Sequence, residues 1–341
     1  MRIILAVSVL VWHSLQVAYG IPAALAAWDT PFGIPLATIL PAFFALSGFL
    51  VSGSLYRNHN LKSFLALRVI RIFPALVVEV TLAALVLGPI FTTLPLSEYF
   101  TDYKFRSYFL NMIGYIHYML PGVFENNPEP SIINSQLWTV PFELECYLLI
   151  AVAAILGVFK KPKFIIPFFI LVTVLVMAWN AARGVSPAPA GGVNGRVLVL
   201  CFFAGVMMYS FKDKIPLKAS WAVVAAIVAI ALIRAPTGPA VYATYLMPIF
   251  AAYATVYVGL LNPGRSVVID SGDYSYGVYL YSFPVQQAVV HLFGSPGGWI
   301  GNVAISLPLT VLFALFSWWC VEKPFQKVRR FIGAKPTPAH P

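Results

Sequence analysis

A chain of 341 residues that is 60% hydrophobic and only 10% charged, with a mean hydropathy of +0.83, cannot clothe itself in a water-soluble surface. Its formal charge of +10 then reads as a topology signal and an attraction to anionic lipid, and gives no reason to invoke nucleic acid. The three cysteines, Cys146, Cys201 and Cys320, each lie in or at the end of an apolar run, which argues against a disulfide framework, and no metal-ligand spacing is present.

Apolar runs near 3–20, 36–55, 74–94, 137–159, 164–181, 196–211, 219–233, 242–261, 274–292 and 300–321 mostly approach the ~20 residues needed to cross a hydrocarbon core of about 30 Å. They are expected to be helices, because lipid offers the backbone no hydrogen-bond partner, and the alternating pattern of an outer-membrane barrel is missing. The prediction is an all-α, polytopic membrane helical bundle of about ten spans, one domain over 1–332 followed by a short disordered cytoplasmic tail over 333–341. Lacking a clear small-residue cleavage site, the first run reads as a retained span and not as a signal peptide.

That run opens "MRIILAVSVLVWHS", with Arg2 at a membrane boundary and His13 eleven positions on. On a helix this is about 16 Å and three turns, so the two share roughly one face. An ionisable side chain at bilayer depth is costly, which makes His13 a functional candidate beside the plainer reading of a packed, hydrogen-bonded histidine. In the second run, "PAFFALSGFLVSGSL" supplies Ser47, Gly48, Ser52, Gly53 and Ser54, small residues that let helices approach closely. Packing is their main reading, and the lining of a reaction site by Ser47 the lesser one.

"FLALRVIRIFPAL" sets Arg68 and Arg71 three apart, just before Pro74 at the start of the third run. The spacing suits a bidentate phosphate clamp and equally an ordinary positive-inside loop. A phosphorylated cofactor held there, with an arm of roughly 15–20 Å, would reach His13. Glu79, further along, is a buried acid for which pairing with a loop arginine is as reasonable as a function.

The aromatic segment that follows, "YKFRSYFLNMIGYIHYMLPGVF", decides the topology. Treated as lying on the outer face, it leaves only Lys104, Arg106, Arg183, Arg196 and Arg234 of the 22 basic residues outside, whereas as a span it would put most of them there. Both termini are therefore expected to be cytoplasmic. Its tyrosines, among them Tyr99, Tyr103, Tyr108 and Tyr115, fit either a sugar-binding platform or an interfacial belt. In the fourth run, "LWTVPFELECYLL" carries Glu143 about 8 Å below Trp138, approaching the level of His13 from the other side. Glu145, two positions on, points elsewhere, so one acid is expected to line a cavity and the other to pair with a neighbouring helix.

These motifs, with "SYGVYLYSFPV" and the terminal "VEKPF", stand in the order seen in the membrane acyltransferase-3 family, which the chain resembles over essentially its whole length. Members O-acylate surface polysaccharides, lipopolysaccharide, Nod factors, antibiotics and related acceptors. The resemblance implies a multi-pass O-acetyltransferase of the cytoplasmic (inner or plasma) membrane that moves an acetyl group from cytoplasmic acetyl-CoA to a hydroxyl of a carbohydrate on the outer side. It places the family's arginine-to-histidine signature on Arg2 and His13, its loop arginines on Arg68 and Arg71, and its tryptophan-to-glutamate motif on Trp138 and Glu143.

On this reading Arg2, Arg68 and Arg71 hold the donor's phosphates. His13 is then either a general base or a transient acyl carrier, with Glu143 orienting its imidazole. The sequence departs from the family in two places. It starts close to the signature arginine, which implies a native start further upstream, and Ser282 stands where a second histidine is often found. Two other classes remain open: a proton-coupled exporter of a carbohydrate or lipid-linked sugar using Glu143 and Glu145, and a non-catalytic partner of a polysaccharide synthase.

Overall fold

The computed structural model describes residues 1–31, 33–57, 60–189, 192–234, 238–261 and 272–328. The expected tail over 333–341, and Arg265, Arg329, Arg330 and Lys335 among the basic residues, lie outside them. Ten long helices follow one another among the described residues: α1 (Arg2–Tyr19), α2 (Gly33–Arg57), α3 (Leu61–Phe91), α4 (Ser135–Ile155), α5 (Pro162–Ala182), α6 (Gly195–Ser210), α7 (Ala219–Arg234), α8 (Val241–Leu260), α9 (Ser275–Phe293) and α10 (Gly298–Lys327). Seven of them, α1 to α5, α8 and α10, are long and apolar enough to cross a membrane. The chain is a polytopic helical membrane bundle, and each helix falls on one of the apolar runs of the sequence.

The third run is the one whose start differs. Arg68 and Arg71 do not sit in a loop ahead of it: Leu61–Leu82 is continuous α-helix through Pro74, capped by the Asn60 side chain, which accepts from the Lys62 amide at 2.9 Å. A membrane helix tolerates the hydrogen bond that proline removes, so two charged residues are carried on the same rod as the apolar span. The segment over 99–118 is not a span, as the charge distribution required. It forms the short helices Leu96–Thr101 and Tyr103–Tyr108 and a 3₁₀ turn. Of its tyrosines, Tyr99 and Tyr108 are fully buried, whereas Tyr103 and Tyr115 are exposed, so only the latter pair suits an interfacial belt. The Tyr99 hydroxyl donates to Ala84 O at 2.7 Å, inside a π-helical turn of α3.

Two helices are buried nearly throughout, and they differ in chemistry. Helix α6 is apolar and lies tight against α2: a Cβ on Gly48 would stand 1.9 Å from Phe202 O, and one on Gly205 would stand 2.0 Å from Ala45 O. Gly48 of the second run is thus a packing residue, whereas Ser47 beside it lines a cavity. Helix α9 is polar inside the bundle. Gln286 Nε2 donates to Leu10 O at 2.8 Å, Asn302 Nδ2 to Gln286 O at 3.2 Å, and Gln287 Nε2 to Glu129 O and Ile132 O at 2.8 and 2.7 Å. These bonds tie α9 to α1, to α10 and to the connection before α4. Ser282, fully buried, donates to Tyr279 O of its own helix at 3.2 Å.

Buried Glu79 and half-buried Glu145 find uncharged or distant partners. Glu79 accepts from Asn134 Nδ2 at 2.6 Å, and Asn134 also meets the Tyr108 hydroxyl at 2.7 Å. A loop arginine is therefore not its partner, because the connection into α4 reaches it first. Glu145 pairs with Arg196 at the start of α6, whose guanidinium lies 5.0 Å from the Trp179 ring centroid.

The contact between α2 and α6 gives a direct test. Gly48→Ala forces a methyl group into the opposing backbone and should cost about 1–3 kcal/mol of stability, read as a lowered thermal midpoint in detergent. Gly259→Ala, whose added carbon meets only the flexible ends of Leu46, at 3.2 Å, and Met1, at 3.4 Å, should change it little.

Candidate active site

The arginines that the sequence singles out do come together. Arg2 Nη1 and Arg71 Nη2 both donate to Asp273 Oδ2, at 3.1 and 2.8 Å, and Arg71 Nη1 donates to Glu322 Oε2 at 2.9 Å. The carboxylates are steadied by serines: Ser275 Oγ lies 2.5 Å from Asp273 Oδ1, and Ser317 Oγ lies 3.2 Å from Glu322 Oε1. Burial works against ionising Asp273. The guanidinium groups of Arg71 and Arg2 and the Ser275 hydroxyl outweigh it and hold the carboxyl well below the ordinary aspartate range.

Arg68, one turn from Arg71, is placed differently. It makes no ion pair among the described residues. Its Nη2 reaches Ser54 Oγ at 3.4 Å, its Nε is buried without a hydrogen-bond partner, and its guanidinium lies 5.7 and 5.9 Å from the Phe64 and Tyr147 ring centroids. The expected two-arginine clamp is thus divided. Arg71 already holds two carboxylates, and of the two Arg68 is the one with coordinating capacity left.

Arg2, Arg68, Arg71, Ser47 and Glu143 line one cavity of about 50 Å³, walled otherwise by Thr139, Ser275 and aromatic and aliphatic side chains. Glu143 is the acid of its pair that faces a cavity, as expected. Its Oε1 accepts from the Tyr147 hydroxyl one turn on at 2.5 Å.

His13 lines the neighbouring cavity, of about 290 Å³, together with Trp12, Gln16, Trp28, Gln136 and Trp138. It is 6% exposed, its ring meets Phe283 edge-on at 5.2 Å, and its Nδ1 is buried without a hydrogen-bond partner among the described residues. The structure gives the Glu143 carboxylate to Tyr147 and sets the two residues in different cavities.

Leu40, Thr139 and Tyr279 line both cavities. The Tyr279 hydroxyl lies 2.5 Å from Thr139 Oγ1 and also donates to Gln136 O. Sequence reasoning did not single out these residues, nor Asp273 and Glu322. The acid of "VEKPF" was a usable signal, as a lone carboxylate closing an apolar run beside lysines. Asp273 and Tyr279 carried none, because, Ser275 apart, their side-chain partners lie 140 or more positions away in sequence.

Cations at one chamber and a histidine at the adjoining one, inside a multi-pass bundle, make up the candidate site. Residues 1–322 match the acyltransferase-3 family, described as an acyltransferase domain, and the chain belongs to that family. Over 338 residues, covering 95% of this chain and 94% of the relative, it is 28% identical to a protein named O-acetyl transferase from Shigella phage Sf6. Over 330 residues, covering 90% and 86%, it is 27% identical to nodulation protein 10 of Rhizobium leguminosarum bv. viciae. No solved structure matches it. Of the classes open at the level of sequence, acyl transfer is the one that family membership selects.

The ionic lattice should be worth more at its buried acid. Glu322→Gln, which strands Arg71 against a neutral partner, should cost about 3–5 kcal/mol and lower the thermal midpoint sharply. Asp273→Asn, at a more accessible site, should cost less.

Proposed function

We propose that the chain is an O-acetyltransferase that takes its acetyl group from acetyl-CoA on the arginine side and delivers it, at His13, to a hydroxyl of a carbohydrate acceptor on the other side. The observation that carries this reading is the pair of adjoining cavities, one lined by Arg68 and the other by His13 and three tryptophans. A cavity of about 50 Å³ is far smaller than the several hundred Å³ of a ligand-sized pocket. It suits the acyl end of a thioester, with the phosphates at its mouth on Arg68. Trp12, Trp28 and Trp138 offer the flat apolar faces on which a sugar ring stacks, and Gln16 and Gln136 offer polar groups for its hydroxyls.

In the transfer, neutral His13 takes the proton of the acceptor hydroxyl as its oxygen bonds to the acyl carbon. The carbon–sulfur bond breaks with its electron pair on the coenzyme A sulfur, and the proton then passes from His13 to that thiolate. The positive-inside distribution supports a cytoplasmic-membrane location with the arginine end facing the cytoplasm. The name of the phage relative supports acetyl as the group moved.

Purified protein in detergent should release coenzyme A from acetyl-CoA in the presence of an accepted glycan. His13→Ala should reduce that release about 10²–10⁴-fold while leaving stabilisation by coenzyme A intact. Arg68→Ala should do the reverse, weakening stabilisation by coenzyme A first. Equal turnover without His13 would remove it from the chemistry.

A further inference from the structure

The geometry points to Tyr279 and Thr139, facing Leu40, as the partition through which the acyl group passes, and to this partition as what limits the length of acyl chain transferred. The inference rests on the proposed entry of the donor from the arginine side. These three residues are shared by the linings of the two cavities, so an acyl carbon moving from the arginine chamber toward His13 goes between them. The Tyr279 ring is not free to swing. Its hydroxyl is held by Thr139 Oγ1 at 2.5 Å and by Gln136 O, its ring lies 6.2 Å from that of Phe43, and the residue is 8% exposed. Gln136 is itself anchored, donating through Nε2 to Leu280 O at 2.7 Å, so the fork that holds Tyr279 joins α4 to α9 at two adjacent levels.

Size does the rest. The arginine chamber, about 50 Å³, is a third of the roughly 150 Å³ cavity that admits a benzene ring, so the donor's arm fills it and its acyl end is left against the partition. Each further methylene has to displace Tyr279, Phe43 or Leu40, which are packed, and one methylene too many in a close-fitting pocket is worth about ten- to 200-fold in selectivity. Thr139 adds a second effect. If the Tyr279 hydroxyl lost that partner, the ring would keep its bulk but not its fixed position, so bulk and hydrogen bonding make separable contributions.

The test is thioester cleavage by the full chain in detergent across acetyl-, propionyl-, butyryl- and hexanoyl-CoA, with free thiol as the readout. Wild type should fall steeply between acetyl and butyryl. Tyr279→Ala should raise the hexanoyl-to-acetyl ratio at least about tenfold, and Tyr279→Phe, which keeps the ring but loses both hydroxyl contacts, should raise it by less. Leu40→Ala opens the same passage from the opposite wall and should shift the ratio in the same direction, which covers a Tyr279→Ala protein that does not fold. A flat profile in wild type overturns the inference, as does a ratio unmoved in a folded opened variant, while acetyl-CoA cleavage upholds the donor reading. If coenzyme A neither stabilises the wild-type protein nor is released from any thioester, the donor reading fails and the inference falls with it.

Discussion

Four charges at one end of the bundle set what the remainder can be. Arg2, Asp273, Arg71 and Glu322 come from the first helix, the residues just ahead of the ninth, the third helix and the tenth, so single bonds of one ionic lattice reach across as many as 271 positions. Charges this sheltered are stable only when each is satisfied, and here two carboxylates answer two guanidinium groups. The lattice fixes α1 and α3 relative to α9. That fixes where Arg68 projects, and it sets His13, eleven residues along α1, against the same face of α9.

The consequence is a division of labour among residues that look equivalent in sequence. Arg68 and Arg71 are one turn apart on one helix, yet one is consumed by structure and the other retains a buried, unpaired Nε. The two glutamates of the fourth run divide in the same way: Glu145 answers Arg196, and Glu143 turns to the cavity and to Tyr147. In both cases the neighbouring helix decides, because a helix only offers directions and its partners choose which is used.

The same dependence on partners explains how much the sequence could reveal. The ten helices were legible because hydropathy is a local property, and the one ambiguous stretch, the aromatic segment over 99–118, yielded to the distribution of Lys and Arg. Arg2, His13, Arg68, Arg71 and Glu143 were legible because a charge in an apolar run needs a reason. What was hidden depends on contacts between distant segments. Helix α9 is the clearest case: its tyrosines, serines and glutamines make it less apolar than its neighbours, yet it is buried almost along its whole length, because its polar groups bond inside the bundle instead of facing lipid. Tyr279, on that helix, therefore read as an ordinary aromatic. The start of α3 was misplaced for a related reason, since proline and two arginines mark a boundary in water and not within a packed membrane helix.

The two-sided arrangement would be tested most directly by a structure with coenzyme A bound. A donor that enters from the arginine side puts a phosphate on Arg68, leaves the Asp273–Arg71–Glu322 lattice unbroken, and brings its thiol to Tyr279 pointing toward His13. A nucleotide bound instead among Trp12, Trp28 and Trp138, with its thiol entering from the His13 chamber, would contradict that arrangement.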